Sequence, residues 1–308
     1  MFTVVGSLNM DLTLEVSRFP QPGETIRGHN FRSAHGGKGA NQAYAVAKMG
    51  LPVAMIGAVG ADSFGQEMVE GLAEVGVDVS KVLRREDTAS GTALITVDAA
   101  GQNQIVVANG ANDTLSATDI AAALGDLSEC RALLLQLEVP LPAVVAAIEL
   151  GHGGGIPVFL NTAPCLELPD AVLNQCDWII ANEQEATQLT RQSVTSPAEA
   201  GFAATGLRQR APRAGIVITL GAAGAWIDSA TFTGHVPGFA VETVDSVGAG
   251  DAWIGAFATQ LLEGQPVERA ARFAHLAAAI AVTRRGAQTS IPGRAEVEAD
   301  PRAALLNG

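Results

Sequence analysis

Short apolar runs alternate with helix-length amphipathic stretches through most of this 308-residue chain, and that alternation leaves few folds open. A strand buried on both faces reads as a continuous apolar run, and the helix that returns the chain to the next parallel strand carries an apolar stripe. Runs at residues 4–8, 53–59, 132–137, 157–161, 178–181 and 216–220 predict such strands. Stretches at 40–49, 64–75, 141–150, 183–190 and 197–209 predict the helices between them. The expected class is α/β, a central and mostly parallel sheet with helices on both faces. Hydrophobic residues make up 48% of the chain and charged ones 17%, which supplies a core and leaves no case for disorder.

Two segments break the alternation, residues 10–34 and 88–108. In the second, residues 92–98 and 104–108 flank an Ala-Ala-Gly-Gln-Asn turn, and both segments read as antiparallel strands with no partner helix. They predict a small β subdomain, a lid over a ligand cleft, carried by a main unit of residues 1–9, 35–87 and 109–308. Exposed strand edges need covering, and a homodimer formed through the lid is the expected device. After Gly221, short strands at 224–227 and 232–236 precede long helices at 250–263 and 267–283.

Nineteen basic against 32 acidic residues give a net charge of −13, which repels a nucleic-acid backbone and an anionic membrane surface alike. Cys130, Cys165 and Cys176 form no CxxC pair and have no histidine at ligand spacing, which argues against zinc and against a disulfide framework. With no run of about 18 apolar residues and no basic leader, the expected location is the cytoplasm.

The most informative stretch is Val244-Asp245-Ser246-Val247-Gly248-Ala249-Gly250-Asp251, which runs into an amphipathic helix. Gly248 and Gly250 let the backbone turn tightly, and the first amides of a helix have no partner within it, so Gly248, Ala249 and Gly250 form a candidate anion hole. Fixed donors of that kind stabilise the charge on a phosphoryl group in transfer. Asp251 beside them is placed to accept the proton of an attacking hydroxyl, although aspartate also favours this position as a plain helix cap. The helix start favours its ionised form, which predicts a weak base. A second glycine-rich turn, His35-Gly36-Gly37-Lys38-Gly39-Ala40-Asn41-Gln42, carries donors suited to sugar hydroxyls. It lacks the Walker A spacing, and no GxGxxG fingerprint occurs elsewhere. Asn9, Asp11 and Glu138 follow strand ends, where ligands bind in open parallel sheets.

In combination these motifs resemble the ribokinase (PfkB) family of carbohydrate and nucleoside kinases. The resemblance runs from Gly6-Ser7-Leu8-Asn9-Met10-Asp11 through Pro22-Gly23-Glu24-Thr25 and residues 36–42 to Gly286-Ala287-Gln288-Thr289-Ser290. It implies transfer of the γ-phosphoryl group of ATP to a primary hydroxyl of a small sugar, ribose foremost. It further implies that Asn9, Asp11, Gly37, Lys38, Asn41 and Glu138 hold the sugar and that Asp251 is the base. Asn182-Glu183-Gln184-Glu185 matches the family's NxxE motif, which puts Asn182 and Glu185 near the phosphates and a hydrated Mg2+. By the same resemblance Thr219 and Gly221 meet the nucleotide with Gly250, and His275 packs on adenine, where a core histidine is the competing interpretation. Asp245, the Val247 carbonyl and Ser290 in the 286–290 loop resemble a monovalent-cation site, usually for K+.

The chain departs from the family at Ser246, at Ala252-Trp253-Ile254 and at Thr162. Trp253 is the change best placed to alter the site, with helix packing as its simpler role. Deoxyribose, a ketohexose or a nucleoside remain alternative acceptors. A non-catalytic sugar sensor is disfavoured by the intact Gly-Ala-Gly-Asp, and a dinucleotide-dependent oxidoreductase by the missing fingerprint.

Overall fold

The computed structural model describes residues 1–125 and 127–307; Asp126 and Gly308, which fall in the expected main unit, lie outside the described residues. The chain opens with β1 (Phe2–Val5), turns aside through β2 (Asn9–Val16) and β3 (Gly28–Gly36), and returns at α1 (Lys38–Lys48). β4 (Val53–Gly60), α2 (Ser63–Glu74) and β5 (Val77–Arg85) follow as one βαβ unit. The chain turns aside again through β6 (Gly91–Val97) and β7 (Asn103–Ala108), and α3 (Ala117–Leu124) leads back to β8 (Ala132–Leu135). Next come α4 (Leu141–Gly153), β9 (Val158–Asn161), the short α5 (Asp170–Leu173), β10 (Trp178–Asn182), α6 (Glu183–Thr190), α7 (Pro197–Arg210) and β11 (Gly215–Thr219). A hairpin of β12 (Ala225–Asp228) and β13 (Thr233–Val236) precedes α8 (Ala249–Leu262), α9 (Val267–Ala281) and α10 (Arg294–Ala299).

The main sheet has nine strands in the order β13-β12-β11-β10-β9-β8-β1-β4-β5. From β11 to β5 every pair is parallel, and β12 alone is reversed, antiparallel to both β11 and β13. Period-two alternation divides the buried side chains between two layers. Phe2, Val4, Leu134, Ile180 and Val217 face the layer of α1, α8 and α9, while Val5, Leu133, Leu135, Ile179 and Ile216 face that of α4 and α7. Phe159, Trp178, Phe257 and Trp253 continue the first layer as an aromatic series, with Trp253 and Phe257 stacked at 4.7 Å.

The second sheet, in the order β3-β2-β6-β7, departs from expectation in one respect. Its two hairpins are antiparallel within themselves, but β2 and β6 pair in parallel, with Asn9 opposite Gly91 and Leu12 opposite Leu94. Both strands leave the same carboxyl edge of a parallel sheet, so they enter the second sheet in the same direction. β5 and α3 were also absent from the expected elements. β5 is an edge strand with charged Asp78, Lys81, Arg84 and Arg85 along it, so it lacks the continuous apolar run of a buried strand.

Candidate active site

Two helix starts converge at the carboxyl edge of the main sheet. α1 begins after Gly37, where φ is 85° and a Cβ would lie 2.7 Å from the Asn9 nitrogen, so only glycine lets the turn close against the end of β1. α8 begins after Gly248, where φ is 74° and a Cβ would lie 3.0 Å from the Ala287 Cα. The two helices touch at Gly255, where a Cβ would approach that of Ala45 to 2.5 Å. Gly255 lies one turn beyond Asp251, and Ala45 one turn beyond Asn41, so this close contact brings Asp251 onto Asn41 and Gln42.

Asp251 is 8% exposed. Its Oδ2 accepts from Asn41 Nδ2 at 3.0 Å and its Oδ1 from Gln42 Nε2 at 2.9 Å. Burial pushes its pKa up, against the opposing pull of Lys38, Gln42 and Asn41. This revises the expected weak base: loss of water outweighs the pull of Lys38 and the two amides, and the carboxylate holds a proton more readily than a free one. The adjoining amides are available. Ala249 N donates to Ser246 O at a long 3.3 Å, and among the described residues no backbone acceptor is found for the Gly250 and Asp251 amides. Gly250 is exposed and faces open space.

The expected sugar ligands gather around this carboxylate. Glu138 Oε2 accepts from Ser7 Oγ at 2.6 Å and from the Lys38 amide at 2.9 Å. Burial works against the Lys38 ammonium, but Asp251, Glu138 and Glu185 outweigh it and leave its pKa raised. Asp11 rises to about 6 through burial and through its neighbours Glu138 and Asp251. Asn9 Oδ1 accepts from Asn112 Nδ2 at 2.8 Å, which leaves the Asn9 amide nitrogen as its outward donor. Among the described residues Asn41 Oδ1 is buried with no partner, an acceptor suited to a hydroxyl donor.

Asn182 and Glu185 form a reciprocal cap at the start of α6, with both Glu185 oxygens 2.9 Å from Asn182 nitrogens. Burial raises Glu185, which also lies in the fields of Lys38 and Asp251 and so belongs to the same cluster. Thr219 ends β11, and Gly221, at φ 52°, opens the turn beyond it toward free space. Asp245 accepts from the Val247 amide at 3.1 Å and the Gly286 amide at 3.0 Å, which ties the α8 loop to the 286–290 loop. Ser290 Oγ in that second loop donates to Ala287 O. Among the described residues no three His, Cys, Asp or Glu side chains form a metal cluster. A lone carboxylate, Asp245, fixed between two loops would suit a monovalent cation, and a Glu185 already bonded to Asn182 would suit a hydrated Mg2+ held through water.

His275 sits within α9 at 6% exposure, where its Nδ1 accepts from Trp253 Nε1 at 3.0 Å, and burial drives its pKa down to about 4. Trp253 is thus spent on α8–α9 packing and on Phe257. Sequence reasoning missed Gln42, Gln136, Asn161 and Asn112 as functional groups. The signal was present for two of them, since Gln136 and Asn161 are amides at the ends of apolar strand runs. Two cavities of about 250 and 290 Å3 lie elsewhere, one beside Met1 and Cys130 and one beside Glu263 and Arg294, and neither includes a residue of this cluster.

The model of the pfkB family of carbohydrate kinases matches residues 1–294. Over 294 residues the chain is 40% identical to a ribokinase of Haemophilus influenzae, and the match covers 96% of each chain. Over 290 residues it is 40% identical to a deoxyribokinase of Salmonella typhi, covering 94% of each. Among solved structures it resembles that of an Arabidopsis thaliana ribokinase complexed with ribose and ATP, at a TM-score of 0.87 and 28% identity, covering 100% of this chain and 98% of that one.

Proposed function

The chain belongs to the pfkB family of carbohydrate kinases, and from that premise we propose that it phosphorylates free D-ribose at its primary hydroxyl, with Asp251 as the base. It is an ATP-dependent kinase, as the family and its ribokinase relatives are. The observation that carries the finer assignment is the junction of α1 and α8. There a buried carboxylate, a buried unpaired Asn41 oxygen and unpartnered helix-start amides adjoin one another.

In this scheme Asn9, Asp11, Lys38, Asn41 and Glu138 hold the polyol, and the raised Asp251 takes the hydroxyl proton as the bond to phosphorus forms. The amides of Gly248, Ala249 and Gly250 receive the charge that develops on the transferring group. Asn182, Glu185, Thr219 and Gly221 would meet the nucleotide and its hydrated Mg2+, which neutralises phosphate charge when bound. Asp245, the Val247 carbonyl and Ser290 would hold K+, ordering the loop beside the amides. Deoxyribose is the second acceptor to consider, because the deoxyribokinase relative is as similar as the ribokinase one.

The second sheet would act as a lid and as the dimer surface. Leu94 and Val106 are register partners on it, 53% and 66% exposed. Among the described residues no helix is long and apolar enough to cross a membrane, which accords with a cytoplasmic enzyme. The test is ADP release from ATP with ribose, deoxyribose, fructose and adenosine, with and without K+. Ribose should give the highest kcat/KM; a higher value for another acceptor replaces ribose, and no ADP release with any acceptor rejects the kinase assignment.

A further inference from the structure

Behind the proposed base lies a chain of buried amides. Gln42 and Gln136 are 0% exposed and Asn161 is 5% exposed. The direction of the chain is set by the backbone. The Ile180 carbonyl can only accept, so Asn161 presents Nδ2 to it at 3.2 Å and turns Oδ1 toward Gln42. Gln42 Nε2 donates to that oxygen at 3.1 Å and, with its other hydrogen, to Asp251 Oδ1 at 2.9 Å. The Gln42 oxygen accepts in turn from Gln136 Nε2 at 2.5 Å. A flipped Gln42 would set its oxygen against two acceptors, the carboxylate and the Asn161 oxygen, so one orientation is strongly preferred.

We infer that Gln42 is a positioning residue: its amide, oriented by Gln136 and Asn161, ties Asp251 Oδ1 into the protein and leaves Oδ2, beside Asn41, to meet the acceptor hydroxyl. This rests on Asp251 being the base. Lys38 on α1, Glu138 after β8, Glu185 on α6 and Asp11 on β2 also act on that carboxylate or are acted on by it. They are unaltered in the variants below, so a change in titration reports the amide chain.

The experiment measures kcat, sugar KM and the pH dependence of kcat for Gln42→Met, Gln136→Met and the double variant. Gln42→Met should lower kcat about 100-fold, the cost of a misplaced catalytic group, with sugar KM little changed. The acid limb of its profile should move up by about one pH unit, because a hydrogen bond to the ionised form is lost. Gln136→Met should move both readouts the same way by less, and the double variant should be no worse than Gln42→Met. A folded Gln42→Met with an unmoved acid limb overturns the inference. Should that variant not fold, an unmoved limb in Gln136→Met overturns it equally. Asp251→Asn separates the two claims: if it turns over normally the base assignment fails, and if it is inactive while the Gln variants behave as wild type only the positioning role fails.

Discussion

The α1–α8 junction and the second sheet are inverted with respect to each other. At the junction, polar groups stand where a core would be: Asn41, Gln42, Gln136, Asn161, Glu185 and Asp251 are all buried. On the second sheet, apolar side chains stand where solvent would be, with Phe31 at 65% exposure and the cross-strand partners Val106 and Leu94 at 66% and 53%. Burying a polar group costs free energy unless it is paired, and exposing a large apolar patch forfeits burial. Each region is therefore an incomplete surface, and the chemistry of its surplus indicates what completes it. Among the described residues the junction has an oxygen and helix-start amides without partners, as a charged, hydroxylated ligand requires, and the sheet exposes apolar side chains, which under the proposed dimer a second copy would cover.

The junction's claim breaks most decisively at its carboxylate. Asp251→Asn should reduce turnover by about a thousandfold or more while sugar binding, followed by calorimetry, changes little. Near-normal turnover would remove Asp251 from the base role. Asp11 tests the electrostatic strain of the same region. Its folded pKa of about 6 exceeds the ordinary 3.8, so the folded state binds the extra proton between those values. The stability it contributes is fully present below the lower value and lost as pH rises through the upper one. Asp11→Asn should flatten the fall in melting temperature between about pH 4 and 6 and leave the variant about 1–2 kcal/mol more stable at pH 8, while raising sugar KM. An unchanged pH dependence of melting would show that Asp11 is not held in a desolvated cluster.

The sheet's claim is tested by Val106→Asp, which should convert a dimer to a monomer in light scattering and weaken sugar binding several-fold. A wild-type monomer would leave the apolar face without the proposed partner. The smallest effect is expected at Trp253→Phe, on α8 but with its ring turned to His275 and Phe257. Losing its hydrogen bond to His275 should cost about 1 kcal/mol in denaturant unfolding and leave kcat within about twofold, the usual reach of a packing change outside a site. A large loss of turnover would place that ring in the catalytic geometry after all.

Much of the junction was legible in the chain before folding. His35 to Gln42 and Val244 to Asp251 announce two glycine turns into helices, and Asn9, Asp11 and Glu138 each follow a strand-like run. The second sheet was legible as an interruption of the α/β rhythm, but the parallel pairing of β2 with β6 was not, because it depends on where both strands leave the main sheet. Gln136 and Asn161 stood in plain view within the runs 132–137 and 157–161, where they pass as ordinary strand residues. Their partner Gln42, 94 residues from one and 119 from the other, is visible only once the strands are assembled.

What the sequence determined by itself was the architecture, the two helix-start turns and the residue types at them, because hydrophobic period and glycine placement are local properties. The tertiary structure alone decided the direction in which the pKa of Asp251 moves. Local reasoning predicts a carboxylate eased into ionisation by its helix, whereas enclosure between α1 and α8 removes its water and drives it the other way. Desolvation depends on what surrounds a group in space, and here the surroundings come from residues 210 positions away along the chain.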